Sequence, residues 1–327
     1  AESGHGTSCS GVAAAIADND LGTVGIAGGS SVMPLKIADN NGDMLFSYIE
    51  NAIAHAADNG AHIISMSLGA DIDQGDSPST DDILSYASEQ GVLIFAATAN
   101  NDYDHIHYPA NNENVYSVGA ASPCGERKSS TSCDGEDWWG SNYGVDVQDD
   151  RAAVTICAPT ILPTTDIGGS GGYSSSDYTM FFNGTSCATP YAAGVAALLF
   201  SKNPSLSAND VIMAMKNTAT DMEETGWDRF TGYGMVNANS ALDAVPVSGN
   251  PICFISNPAD NTSFIIEDVV DIVVNAQDYT RSISRVDFFI DDLINPVSTD
   301  YSEPYEYSWN TFGSEIGEHT IKAKAID

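Results

Sequence analysis

A histidine, an asparagine and a serine, in that order along the chain, stand in stretches that could carry acyl-transfer chemistry. The first is His5-Gly6-Thr7-Ser8-Cys9-Ser10-Gly11, and the second is an apolar run, Val92-Leu93-Ile94-Phe95-Ala96-Ala97-Thr98-Ala99, ending at Asn100. The third is Asn183-Gly184-Thr185-Ser186-Cys187-Ala188-Thr189-Pro190, which passes into the small-residue run Tyr191 to Phe200. A serine hydroxyl is a poor nucleophile until a base takes its proton, and imidazole is the side chain whose ordinary pKa lies near neutrality. A carboxamide adds a neutral N–H donor for the oxyanion that attack creates. The turn-then-apolar pattern predicts Ser186 at a helix N-terminus, where unpaired N–H groups and the helix dipole favour negative charge. Pro190 reads as a proline of that helix's first turn. A lone Gly-Thr-Ser before a helix is an ordinary cap; His5 and Asn100 are what make it a candidate nucleophile.

The elements that must hold these residues alternate between strand and helix. A helix is expected from Thr7 to Ala17 with His5 at its start, and Val32 to Ile37 reads as a short strand. Leu45, Ile49, Ala52, Ile53 and Ala56 recur at helical spacing and stop at Asn59-Gly60. His62 to Ser67, Val92 to Ala97 and Val115 to Ala120 read as strands, with a helix from Ile83 to Gln90 between the first two. Ser207 is placed to cap a further helix running through Val211 and Met215. The pattern predicts an α/β fold, a mainly parallel sheet with helices on both faces. Asn100 and Ser67-Leu68-Gly69 then fall at strand ends on one rim, where sites in such sheets gather. Val245 to Asn250 has the composition of a linker. Beyond it the period becomes two (Val270, Ile272, Val274; Val286, Phe288, Ile290; Tyr305, Tyr307, Trp309; Ile321, Ala323, Ala325), as in an all-β sandwich. The domain reading is therefore 1–244, a linker at 245–250, and 251–327.

In these motifs the chain resembles the subtilisin-like serine peptidases, the subtilase family. The matching stretches are His5-Gly6-Thr7 with Gly11, Ile64-Ser65-Met66-Ser67-Leu68-Gly69, the strand ending at Asn100, Gly184-Thr185-Ser186 with Ala188 and Pro190, and Gly232-Tyr233-Gly234-Met235-Val236-Asn237. The resemblance covers residues 1 to 244 and implies that Ser186 is the nucleophile, His5 the base and Asn100 the oxyanion donor. It implies a primary pocket walled by Ser67, Leu68 and Gly69 on one side and Ala97, Thr98 and Ala99 on the other, accepting bulky residues broadly. His107, before Tyr108-Pro109, falls at the pocket base; it shortens the pocket or makes it pH-sensitive, or else turns outward to solvent. A polypeptide substrate would add as a strand beside Ser67 to Gly69 and near Gly42-Asp43-Met44. In the family the catalytic aspartate stands on a strand before the histidine. Only four residues precede His5 here, so the sequence reads as an internal fragment of a secreted precursor, nearly inactive by itself. The last part resembles a bacterial immunoglobulin-like module, C-terminally truncated at about three quarters of the roughly 100 residues such a module needs.

Composition narrows the alternatives. The chain has 45 acidic residues against 11 Lys and Arg, a net charge of −34, which repels nucleic acid and anionic membrane alike. No apolar run is long enough to span a membrane, and 43% hydrophobic residues supply real cores. Six cysteines fit an extracellular protein, with Cys124 and Cys133 expected to pair across a polar loop. Cys9 and Cys187 read as small buried groups beside the site, since the motif puts Ser186 rather than Cys187 in the attacking position; Cys157 and Cys253 are unassigned. Trp138-Trp139 is expected to pack over the disulfide. The chemistry needs no cofactor. The resemblance implies a calcium loop at Asn19 and Asp20, and the acidic loop Asp71 to Asp76 invites the same reading from its own residues, against a solvated turn in each case. A non-catalytic pseudo-peptidase whose sandwich module binds a polymer or cell surface is the competing reading. An esterase would want a Gly-x-Ser-x-Gly elbow with histidine after serine, which is not the order here.

Overall fold

The computed structural model describes residues 4–39, 41–246, 251–259, 262–278, 282–291 and 294–327. Residues 247–250 of the expected linker lie outside them. The chain divides into two compact units, Ala1–Ser201 with Ser207–Ala241, and Lys202–Leu206 with Leu242–Asp327.

Up to residue 244 the elements are α1 (His5–Ala14), α2 (Phe46–Asp58), β1 (Ile63–Met66), α3 (Pro78–Glu89), β2 (Leu93–Ala97), β3 (Tyr116–Ala121), β4 (Ile156–Pro159), β5 (Leu162–Thr165), β6 (Tyr178–Phe182), α4 (Thr185–Lys202), α5 (Ala208–Asn217) and α6 (Ala238–Ala244). Strands β1-β2-β3-β4 form one parallel sheet in that order. Every residue of β2 is buried, which is why its sequence is a continuous apolar run rather than an alternating one. Helix α2 buries Ile49, Ile53 and Ala56, the first two in a core shared with Met66, Leu84 and Ile94. Helix α3 starts earlier than the expected Ile83, because Pro78 occupies its first position, where a missing N–H costs nothing. Gly91, at φ 83°, supplies the left-handed residue that ends it. Ser207 caps α5 reciprocally with Asp210.

Helix α1 ends at Ala14 rather than the expected Ala17, and the strands depart further from the sequence reading. Val32 to Ile37 forms no strand; among the described residues none pairs with this stretch, and Val32 and Met33 are exposed. A β-branched run without a bonding neighbour is only an extended segment. Strands β5 and β6, an antiparallel ribbon, were not anticipated, since Pro163 and three threonines mask any alternation.

The second unit contains β7 (Ile252–Asn257), β8 (Val269–Gln277), β9 (Arg285–Ile290), β10 (Ser298–Asp300), β11 (Tyr305–Asn310) and β12 (Ile321–Ile326). They make two three-stranded antiparallel sheets, β11-β8-β7 and β10-β9-β12. Val270, Ile272 and Val274 from β8 meet Val286 and Phe288 from β9 in one core. The period-two residues named from the sequence are the inward-facing ones, as a sandwich requires.

Candidate active site

Helix α1 carries His5 as its first residue, and threonine hydroxyls fix the helix to β5. Thr164 Oγ1 donates to the Ser8 carbonyl at 2.8 Å, Thr165 Oγ1 to the Thr7 carbonyl at 2.9 Å, and Ser8 Oγ to the Thr165 carbonyl at 2.9 Å. A Cβ on Gly11 would lie 2.1 Å from Thr165 Oγ1, so the motif glycine exists to permit this close approach. The His5 ring stands edge-on to Phe182, centroids 5.7 Å apart. Burial pulls its pKa below the ordinary 6.5, which favours the neutral imidazole a general base must be.

Helix α4 begins beside the C-terminal ends of β1 and β2. Asn100 Oδ1 accepts the Thr185 N–H at 2.7 Å and the Thr185 hydroxyl at 3.0 Å. A main-chain N–H can only donate, so this contact fixes which side of the carboxamide is oxygen and turns Nδ2 away as the remaining donor. The turn that delivers Asn100 runs through Ala99 at φ 93°, a left-handed conformation that a Cβ makes costly.

Ser186 is the second residue of α4. Pro190 lies inside the helix rather than in its first turn, and this correction explains a local feature. The residue four places after Ser186 has no N–H, so the Ser186 carbonyl receives no helical bond from it. That carbonyl accepts instead from Ser67 Oγ at 2.9 Å and from the Cys9 thiol at 3.5 Å. Cys9 Sγ also lies 3.8 Å from His5 Nδ1. One carbonyl thus ties together the helix of Ser186, the helix of His5 and the strand end at Ser67.

Burial raises the Cys9 thiol to about 11 and Cys187 to about 12, and raises Cys157 as well, so none carries useful thiolate at neutral pH. Cys124 and Cys133 are joined as a disulfide. The Trp139 ring lies under the buried Lys128 ammonium, 4.8 Å away, while Trp138 is exposed. Its indole N–H donates to Glu136 Oε2 at 2.6 Å, and the Glu136 carboxylate accepts Asn183 Nδ2 at 3.1 Å. Glu136 therefore holds the turn just before the nucleophile, a role the sequence reading missed because the partners are 47 positions apart.

Of the expected pocket residues, Leu68 and Gly69 line an apolar hollow with Met44, Phe46, Ile49 and Tyr108. Ala97 and Thr98 are buried; Thr98 contributes its carbonyl, which accepts the His107 N–H at 3.2 Å. His107 also packs against the other wall, where a Cβ on Gly69 would come within 3.2 Å of its own Cβ. It is not turned out to solvent. Nε2 is wholly shielded and has no hydrogen-bond partner among the described residues. Asn19 Oδ1 accepts the Leu21 N–H at 3.0 Å, between Asp18 and Asp20, both of positive φ. In the Asp71 to Asp76 loop, Asp73 N–H and Gly75 N–H are taken by Asp76 and Asp81.

Residues 1–234 match the model of the subtilase family, and residues 251–323 match the bacterial Ig domain. The chain belongs to the subtilase family. Alkaline elastase YaB from Bacillus sp. (strain YaB) is 35% identical over 238 residues, 73% of this chain and 55% of that protein. Thermitase from Thermoactinomyces vulgaris is 34% identical over 240 residues, 73% of this chain and 75% of that protein. Among solved structures, sphericase aligns with a TM-score of 0.60 at 27% identity, covering 72% of this chain and 77% of the other. A protease from Pseudoalteromonas arctica aligns at 0.62 and 26% identity, covering 74% and 70%. The chain thus spans little more than half the length of alkaline elastase YaB, and this subtilase unit is followed by a sandwich of the bacterial Ig type.

Proposed function

We propose that this chain is the main part of a secreted serine endopeptidase of broad specificity. The observation that carries the reading is the shared Ser186 carbonyl, which draws the candidate nucleophile, the helix of the candidate base and one pocket wall onto a single acceptor. In this reading His5 takes the Ser186 proton as the hydroxyl attacks the scissile carbonyl, and Asn100 Nδ2 donates to the oxyanion. His5 then returns the proton to the leaving amine, and water repeats the sequence on the acyl-enzyme. The chemistry calls on no cofactor. Secretion is supported by the disulfide at Cys124 and Cys133, and among the described residues no helix is long and apolar enough to cross a membrane. The reading assigns none of the aspartates in residues 1–327 to the third triad position, so the chain by itself should turn over slowly.

The test is digestion of an unfolded protein by the chain joined to an aspartate-bearing subtilase segment. Cuts at internal bonds after varied large residues, lost in Ser186→Ala, support the reading; no cleavage, or cleavage unchanged by that substitution, refutes it.

For the second unit we propose a polymer- or surface-binding role. It is supported by an open cleft lined by Tyr307, Trp309, Asp291 and His319, aromatic and polar groups of the kind that stack on and hydrogen-bond a chain ligand. Retention on an insoluble polysaccharide should fall in Trp309→Ala, and equal retention would count against the role.

A further inference from the structure

Away from the reacting groups, three metal-ligating side chains converge where the segment after β1 meets the segment after β2. Ala70 and Tyr108 exchange main-chain hydrogen bonds, Ala70 N–H to the Tyr108 carbonyl at 2.8 Å and Tyr108 N–H to the Ala70 carbonyl at 2.9 Å. That antiparallel bridge makes Asp71 and His107 the adjacent cross-chain pair. Ile106 is buried, so His105 and His107 on either side of it emerge on one face, as period two demands. Their rings stack at 5.8 Å with 23° between planes, and His105 Nε2 lies 3.1 Å from Asp71 Oδ1. One ligand atom from each of Asp71, His105 and His107 falls within 4.8 Å of the others.

We propose that Asp71, His105 and His107 bind one divalent transition-metal ion of the Zn²⁺ class, pinning the two segments together. Ligand atoms around a tetrahedral Zn²⁺ stand about 3.3 Å apart, so modest rotation of the two exposed side chains closes the set and leaves a fourth position for water. Two imidazoles with one carboxylate suit Zn²⁺ or Co²⁺, whereas Ca²⁺ and Mg²⁺ want oxygen alone. The shielded, unpartnered Nε2 of His107 is the independent observation. In the bare chain that nitrogen has lost its hydration without replacement, and coordination there would supply the missing partner. The chain's net charge of −34 raises the local concentration of any cation. The site stands whether or not the peptidase reading holds.

The test is equilibrium dialysis of the chain against Zn²⁺ in excess Mg²⁺, which occupies sites made of carboxylates alone, followed by Co²⁺ absorption spectroscopy. The expected result is one Zn²⁺ per chain, bound at least about tenfold more weakly in Asp71→Asn and in His105→Gln, with unchanged circular dichroism because both side chains are exposed. The Co²⁺ spectrum should lack thiolate charge transfer. Absence of saturable Zn²⁺ binding, equal binding in both variants, or a thiolate band placing the metal on cysteine would each overturn the proposal.

Discussion

The hydroxyl of Ser67 donates to the main-chain carbonyl of Ser186 at 2.9 Å, a bond available because Pro190 has no N–H with which to close the helical turn. The two features should therefore be energetically coupled. Ser67→Ala alone leaves a part-buried carbonyl with only the Cys9 thiol and should cost about 1–2 kcal/mol. In the Pro190→Ala background a main-chain N–H can take that carbonyl, and the same substitution should cost less by about 1 kcal/mol. Urea denaturation of the four variants measures the difference; strict additivity would contradict the link.

Asn100 has two ends with two tasks, and substitution can separate them. Asn100→Asp keeps an oxygen for the Thr185 N–H and removes the donor. Stability should stay within about 0.5 kcal/mol, while turnover of the competent enzyme falls about a hundred- to a thousandfold, the size already known for loss of this donor in a subtilisin. Asn100→Ala should lose a further ~1 kcal/mol of stability, because the α4 cap goes as well. Equal activity in Asn100→Asp would remove Asn100 from the oxyanion role.

Ala99, at φ 93°, carries strain that glycine would not. Ala99→Gly should raise stability by about 1 kcal/mol, even after the extra freedom glycine gives the unfolded chain. A drop in the urea midpoint would show that the conformation is not strained there.

Burial lowers the pKa of His5 from 6.5, and the sign of the consequence is fixed. Above that value both folded and unfolded histidine are neutral, and His5 contributes no pH dependence. As pH falls from 6.5 toward the lower folded value, the unfolded chain binds a proton that the folded chain refuses, so stability falls with pH and then levels off below it. An NMR titration of the ring Cε1–H should give a midpoint below 6.5; a midpoint at or above 6.5 would contradict the desolvated base.

Much of this was legible in the sequence because the relevant signals are short and local. His5, Asn100 and Ser186 each sit in a contiguous motif whose glycines and small residues answer to a visible backbone need, as Gly11 does against Thr165. The buried run of β2 and the alternation of β8, β9, β11 and β12 likewise need no partner to be read. What escaped depends on contacts between distant positions. Val32 to Ile37 has strand composition but no neighbour, and β5, which pairs with β6, carries threonines whose hydroxyls serve α1. Pro190 declares its meaning only when Ser67 and Cys9 are seen at the carbonyl it releases. Glu136 beneath Asn183, and Asp71 beside His105 and His107, join loops that are distant in the sequence, so no local signal pairs them.

The most direct measurement is labelling with a fluorophosphonate serine-hydrolase probe, applied to this chain, to the chain joined upstream to an aspartate-bearing subtilase segment, and to the Ser186→Ala form of the joined protein. The account predicts strong labelling of the joined protein, weak labelling of the chain alone and none in Ser186→Ala. An unlabelled joined protein, or labelling that survives Ser186→Ala, would contradict it.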